Sequence, residues 1–366
     1  MKVLFITCAP LFPTNSGYKQ SVLGRVHEYV VNGAQVEVVE IDNERLNLAP
    51  LKPEAFHQVK THRVQNVKGR SITRELKSIF GSAPRYQLLF GNKDLQAQCL
   101  KIVEQINPDR VVAESIWAAA IVPPQLFART TLIIHDVAQH FFFEMARTTP
   151  NFVRRVLFAL DWLKVKGYER RLFKKSFHSV KFLTDEDKNW YLENFDLSST
   201  STSRTSNKLF VQQISRNVDT LKPFVLFPGS LEFAQNFVAM RWYAEEVEPQ
   251  IDRAAKMPVV VTGRCSDALK AKFQKYEWIN FVGEVTLPEL ERLFATCTCV
   301  VSPIISGTGI KIKILEATQR GIPVIATLTS SRGVNSELCY KASDDRPETF
   351  ARVFSRAILE NCVEKP

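Results

Sequence analysis

The chain has 366 residues, 45% of them apolar and 23% charged, a length beyond what one hydrophobic core ordinarily supports and a composition that excludes global disorder. Two domains are therefore expected. A net charge of +10 favours anionic partners without choosing among nucleic acid, lipid headgroups and phosphorylated substrates.

The opening apolar run, Met1 to Ile6, is too short for a secretory signal and is followed by Pro10, Pro13 and Asn15. No window approaches the roughly 18 apolar residues of a spanning helix, so a cytoplasmic, soluble or peripheral protein is expected. The seven Cys form no zinc or disulfide framework, Cys297-Thr298-Cys299 being C-x-C; they read as buried small hydrophobes.

In chain order, Val3 to Ile6 reads as a strand, Gly17 to Val31 as a helix stopped by Asn32-Gly33, and Val36 to Ile41 as a second strand. This βαβ pattern predicts parallel pairing. Residues 53–90 are polar and poorly periodic and suggest an insertion outside the framework. Further strands are expected at Arg110 to Ala113, Thr131 to His135, Ser179 to Leu183 and Leu209 to Ile214, with the Ser/Thr-rich stretch 198–206 as a solvated loop. Residues 151–181 hold nine Lys/Arg against two Asp/Glu, interleaved with apolar residues at helical spacing but without one clean basic face. They read either as packed helices with solvated flanks or as attachment to an anionic membrane surface.

A boundary near 217–222 separates this half from a second alternation. It runs through a strand at Phe224 to Phe227, a helix from Phe233 to Val247, strands at Val259 to Val261 and Ile279 to Val282, and a helix from Leu287 to Ala295. A strand at Val300-Val301, a helix from Ile310 to Arg320 and a strand at Val324 to Ala326 complete it. The expected organisation is an α/β chain of two doubly wound parallel-sheet domains facing a central cleft: 1–217, 218–347, and a terminal helix in 348–366 returning towards the first domain.

The stretch Gly307-Thr308-Gly309-Ile310-Lys311-Ile312-Lys313-Ile314-Leu315-Glu316 carries the most chemistry. Glycines before a helix let amide N–H groups approach an anion, and the helix dipole favours a diphosphate there. Lys313 can reach a phosphate oxygen, and Glu316, on the same helix face, can accept hydrogen bonds from a diol such as a ribose. The loop is no Walker A motif, which ends in Gly-Lys-Ser/Thr, and no dinucleotide fingerprint, because Ile312 stands where a third Gly is needed.

These residues, with Gly321-Ile322-Pro323-Val324 and Arg332-Gly333-Val334, resemble the donor-site signature of GT-B glycosyltransferases, and most closely the retaining family 4. The resemblance extends to Phe227-Pro228-Gly229-Ser230-Leu231, Val261-Thr262-Gly263-Arg264 and Phe281-Val282-Gly283-Glu284-Val285. In the first half it includes Ile134-His135-Asp136, Tyr168-Glu169-Arg170 and Thr184-Asp185-Glu186-Asp187. It implies a nucleotide-sugar donor, a UDP- or GDP-sugar, bound by the second domain, with no cofactor and no metal. Glu316 would hold the ribose and Lys313 the diphosphate; Gly307, Thr308, Gly309 and Ile310 would offer backbone amides. Gly283 and Val285 would lie beside the base, Gly229 and Ser230 would face the diphosphate, and Arg264 would share the phosphate charge. His135 would sit near the donor sugar with Asp136 beside it, and the loop Asn15-Ser16-Gly17 would approach donor and acceptor, unless Ser16 is simply a helix cap. Thr308 replaces a second Glu common in the family, and no basic residue stands in Ser230 to Asn236, two departures that bear on sugar and phosphate recognition.

The expected activity is transfer of a sugar to a glycan or lipid-linked acceptor in bacterial surface polysaccharide synthesis, with no nucleic-acid partner and possible association with the inner face of the plasma membrane. A sugar-nucleotide 2-epimerase and a non-catalytic nucleotide-sugar-binding protein are the alternatives. Asp185-Glu186-Asp187 matches a D-x-D metal motif literally, but it opens a helix, where acids are favoured by the dipole.

Overall fold

The computed structural model describes all residues except 15, 43–51, 67–78, 92, 150, 212–213, 219–221, 308 and 360–366. Contacts divide the chain into two units, Met1–Phe210 and Val211–Pro366.

The first unit is built on a parallel sheet of seven strands: β1 (Lys2–Thr7), β2 (Gln35–Asp42), β3 (Lys60–Gln65), β4 (Arg110–Ala113), β5 (Thr130–Ile134), β6 (Ser179–Phe182) and β7 (Ser201–Arg204). Their order is β3-β2-β1-β4-β5-β6-β7. The central strands are continuous apolar runs because helices cover both faces, as in Val3 to Ile6, which is buried throughout. The helices are α1 (Gly17–Val31), α2 (Arg85–Phe90), α3 (Lys93–Ile106), α4 (Ala138–Thr148), α5 (Phe152–Phe173) and α6 (Asp185–Asn194).

Three expectations for this unit are corrected. The stretch 53–90 is not an insertion in its described part: β3 pairs in parallel with β2 from Lys60↔Glu37 to Gln65↔Asp42, and Phe56, Val59, Val64 and Phe90 lie in the core. The Ser/Thr run is not a loop, since Ser201 to Arg204 pairs with β6 as the far edge strand. An edge strand needs backbone partners on one side only, so it can form without an apolar stripe. Among the described residues of 209–214, none is in a strand.

The second unit holds a parallel sheet of six strands: β8 (Val225–Pro228), β9 (Val259–Thr262), β10 (Ile279–Gly283), β11 (Cys299–Ser302), β12 (Val324–Ala326) and β13 (Cys339–Lys341), in the order β10-β9-β8-β11-β12-β13. Its helices are α7 (Ala234–Trp242), α8 (Asp267–Lys270), α9 (Leu287–Thr296), α10 (Ile312–Thr318) and α11 (Pro347–Ala357). Helix α7 runs on through a π-helical turn, Tyr243–Val247, so the helical stretch covers most of the expected span. Helix α10 is shorter than expected at both ends.

Helix α11 packs within the second unit. Phe350, Ala351, Phe354 and Ala357 are buried in the second unit's own core, with Phe350 edge-on to Trp242. Each fully buried Phe contributes about 1.5–3 kcal/mol there.

Candidate active site

In each sheet the chain begins at one strand, builds outward on one side, then returns to pair on the other side of that first strand. This happens between β1 and β4 and again between β8 and β11. At such a switch point the loops leaving the two strands diverge and open a crevice beyond their carboxyl ends. The candidate residues gather at these two places.

In the second unit the loops after β8, β9 and β10 are laced together by backbone bonds. Gly229 N donates to Thr262 O (3.3 Å), Gly263 N to Gly283 O (2.7 Å) and Leu231 N to Arg264 O (2.9 Å). The Ser230 hydroxyl adds a bond to Arg264 O at 2.9 Å. Gly263, at φ +89°, has no room for a side chain, because a Cβ would lie 2.7 Å from Ser230 N.

The loop after β11 turns through Gly307 (φ +89°) and Gly309 (φ +73°) before α10 begins at Ile312. Thr308, between them, lies outside the described residues. Ile310 is half-buried, as is Val285 beyond β10.

Lys313 joins these loops. Its Nζ donates to Asn236 Oδ1 (3.0 Å), stands 3.9 Å from the centre of the Phe227 ring, and would be 3.1 Å from a Cβ on Gly229. No carboxylate pairs with it among the described residues. Burial, and then the neighbouring charge of Lys311, bring its pKa down to about 7. An ammonium kept from water without a counter-charge is a place where an anion is strongly favoured. Asn236 was not recognised from sequence; it belongs to the segment after β8 that lacks basic residues, and it positions the lysine from there.

Glu316 is 7% exposed and forms an ion pair with Arg320 (Oε1 to Nη1, 3.4 Å), which also donates to the Glu316 carbonyl at 3.0 Å. Arg320 was missed, although its i+4 spacing from Glu316 is the pattern of a helix pair. Arg264 does not join Lys313. It is largely exposed and bonded to Glu284 at 3.0 Å.

In the first unit, His135 follows β5 and meets two residues that sequence reasoning did not select. Glu114, fully buried after β4, accepts from Arg25 of α1 through both oxygens (Nε–Oε1 2.8 Å, Nη2–Oε2 2.6 Å), and its Oε2 lies 2.9 Å from His135 Nε2. The Arg25 guanidinium and the His135 bond outweigh burial and hold the Glu114 carboxyl down at about 2. Arg25 Nη2 lies 3.2 Å from the same Nε2; in the tautomer that directs Nε2–H to the nearer carboxylate, which can only accept, Nδ1 is left as an acceptor. Burial, with the Arg25 charge acting in the same direction, holds the imidazole below its ordinary value. Tyr18 ties the two loops of this crevice together, donating to Glu114 O (2.8 Å) and accepting from Cys8 N (3.1 Å). Next to Glu114, Ser115 has a φ of +138°, a strained conformation for a residue with a side chain.

Ser16 caps α1, accepting from Lys19 N at 3.5 Å, and Gly17 is the first helical residue; Asn15 lies outside the described residues. Asp136 is half-buried beside His135. Thr184 is the N-cap of α6, receiving Asp187 N at 2.9 Å, and Asp185, Glu186 and Asp187 fill its first turn, with Asp185 bonded to Arg204. Among the described residues no group of three His, Cys, Asp or Glu is placed to hold a metal ion.

Residues 222–360 match the family described as glycosyl transferases group 1. A solved sucrose-phosphate synthase from Thermosynechococcus elongatus superposes with a TM-score of 0.70 at 12% identity, over 98% of this chain and 90% of that one. HepE of Anabaena, in complex with UDP and glucose, gives 0.59 at 13% identity over 98% and 90%. The chain has the GT-B fold, and its second unit carries the glycosyltransferase match. A TarM variant from S. aureus, solved with fondaparinux, alpha-GlcNAc-glycerol and UDP, is also similar, with a TM-score of 0.64 at 11% identity over 98% and 92%. By sequence, the chain is 19% identical over 355 residues to an uncharacterised 44.6 kDa protein in the cps region of Klebsiella pneumoniae, covering 92% of this chain and 85% of that protein. No helix among the described residues is long and apolar enough to cross a membrane.

Proposed function

We propose that this chain is a glycosyltransferase that takes a sugar from a UDP- or GDP-sugar and passes it, with retention, to a hydroxyl of a glycan or lipid-linked acceptor in polysaccharide biosynthesis. The observation that carries the donor half is the half-buried Lys313, whose ammonium packs against Phe227 and Asn236 with no carboxylate paired to it among the described residues, at the crevice between the β8 and β11 loops. A diphosphate supplies the charge this lysine lacks. Its oxygens would also meet amides of the Gly307 to Ile310 loop, where positive φ values turn backbone rather than side chain outward. Glu316 would receive the ribose hydroxyls, and Gly283 and Val285 would border the base.

In the other unit, a neutral His135 with Nδ1 as acceptor suits a hydrogen bond from a sugar hydroxyl, and Asp136 stands beside it. The leaving diphosphate would be stabilised by Lys313 and the loop amides, which are already oriented before reaction, and no metal is assigned a part. The UDP, UDP–glucose and glycan complexes of the structural neighbours support this class of donor and acceptor, and the cps-region relative supports polysaccharide synthesis.

A thermal-shift screen with UDP, GDP, dTDP and their sugars tests the donor assignment, since a ligand that prefers the native state raises the melting temperature. Transfer from the stabilising sugar should disappear in Glu316→Ala and His135→Ala proteins that still fold. Absence of any shift at millimolar nucleotide would refute the reading. Binding without turnover would leave a nucleotide-sugar-binding protein, and a changed sugar on the same nucleotide an epimerase.

A further inference from the structure

Helix α5 buries the side that carries Asp161, Val165, Tyr168 and Leu172. At about 3.6 residues per turn, Phe152, Val156, Ala159 and Leu163 form a stripe on the opposite side, and the stripe continues through Lys166, Arg170 and Lys174. Its large side chains lie open to solvent, Phe152 at 74% and Leu163 at 66% exposure. Trp162, beside the stripe, packs its ring 5.4 Å from that of Phe143 on α4, and both remain about two-fifths exposed. An amphipathic surface helix normally turns polar residues outward; half of this outward face is apolar.

The charges are sorted as sharply. Both acids of α5 are turned inward: Asp161 takes the Arg85 guanidinium at 2.6 Å, and Glu169 accepts from Tyr191 and Gln139. The outer side therefore holds Phe152, Val156 and Leu163 in its first half with the exposed Arg155 beside them, Lys166, Arg170 and Lys174 in its second, and none of the helix's carboxylates. Association with a second copy through this face would bury Lys166, Arg170 and Lys174 with no acid of the helix to meet them. A lipid surface offers both layers at once, hydrocarbon for the apolar stripe and anionic headgroups for basic side chains whose long stems reach up from it.

We propose that the outer face of α5 docks on an anionic lipid surface. The placement draws on no residue of the donor or His135 sites and stands independently of the transfer reaction.

The full chain is sedimented with vesicles of phosphatidylcholine alone and with vesicles of equal parts phosphatidylcholine and phosphatidylglycerol. The wild-type protein should pellet with the mixed vesicles and stay in solution with the zwitterionic ones. A Lys166→Ala, Lys174→Ala protein should partition about thirtyfold more weakly, at about 1 kcal/mol for each base near the surface. A Phe152→Ser, Leu163→Ser protein should lose most of the remaining binding. All four side chains lie on the solvent side, so melting temperature and its rise with nucleotide should be unchanged, which separates failure here from failure of the donor assignment. Equal binding to both vesicles, no binding to either, or full binding by both variants would overturn the proposal. So would a wild-type dimer that the Phe152→Ser, Leu163→Ser substitutions convert to monomer, since that would assign the face to a second copy.

Discussion

Replacing Lys313 with Met should make the free protein more stable while abolishing its response to nucleotide. Bringing the ammonium from 10.5 to about 7 corresponds to about 5 kcal/mol against the charged form. The Asn236 bond and the Phe227 contact return about 2 kcal/mol, and imperfect packing of the thioether costs about 1 more. The net gain is about 2 kcal/mol at neutral pH, or a rise of roughly 4–8 °C in melting temperature for a unit of this size.

The sign depends on pH. The unfolded lysine keeps its proton up to 10.5 and the folded one releases it near 7, so between these values the unfolded chain binds more protons and wild-type stability increases with pH. The advantage of the Met variant is full below about 7 and fades towards 10.5. Scanning calorimetry across this range, with and without UDP, measures both parts. At a hundredfold excess over its dissociation constant UDP should add about 2.7 kcal/mol to the wild type and essentially nothing to the variant. A variant that melts below the wild type at acidic pH and keeps the UDP shift would show that Lys313 is satisfied by the protein itself.

Two further outcomes follow from geometry. Gly24 on α1 faces the Lys208 carbonyl, which a Cβ would approach to 1.9 Å, so Gly24→Ala should cost about 3 kcal/mol or more in urea unfolding; Gly167→Ala, in a helix with space around it, should gain about 1 kcal/mol. Glu114→Gln leaves the buried Arg25 without its charge partner and should cost about 3–5 kcal/mol. Because the Glu114 pKa is depressed, its stabilising share is full above about 4.5 and is lost as pH falls through about 2, so the wild type should show an acid-denaturation limb there that the variant lacks.

The βα alternation was legible because strands buried on both faces are apolar end to end, as at Val3 to Ile6 and Val259 to Val261. The edge strands β3, β7 and β13 were not. Ser201 to Arg204 has no apolar residue, and only its pairing with β6 makes it a strand. The glycine loop, Lys313 and Glu316 could be proposed from sequence because their chemistry is written at short spacing. Asn236, 77 residues from Lys313, and the Arg25–Glu114 pair, 89 residues apart, become neighbours only when the sheets bring distant loop ends together. Local periodicity holds no trace of such pairs.

Helix α11 remains with the second unit, so among the described residues the chain passes from one unit to the other a single time, close to Phe210. A hybrid protein assembled from this chain and a relative thus requires one splice. Whichever parent supplies residues from Val211 onward must also supply the C-terminus, because a cut ahead of Pro347 would strip Phe350 and Phe354 from the interior they fill.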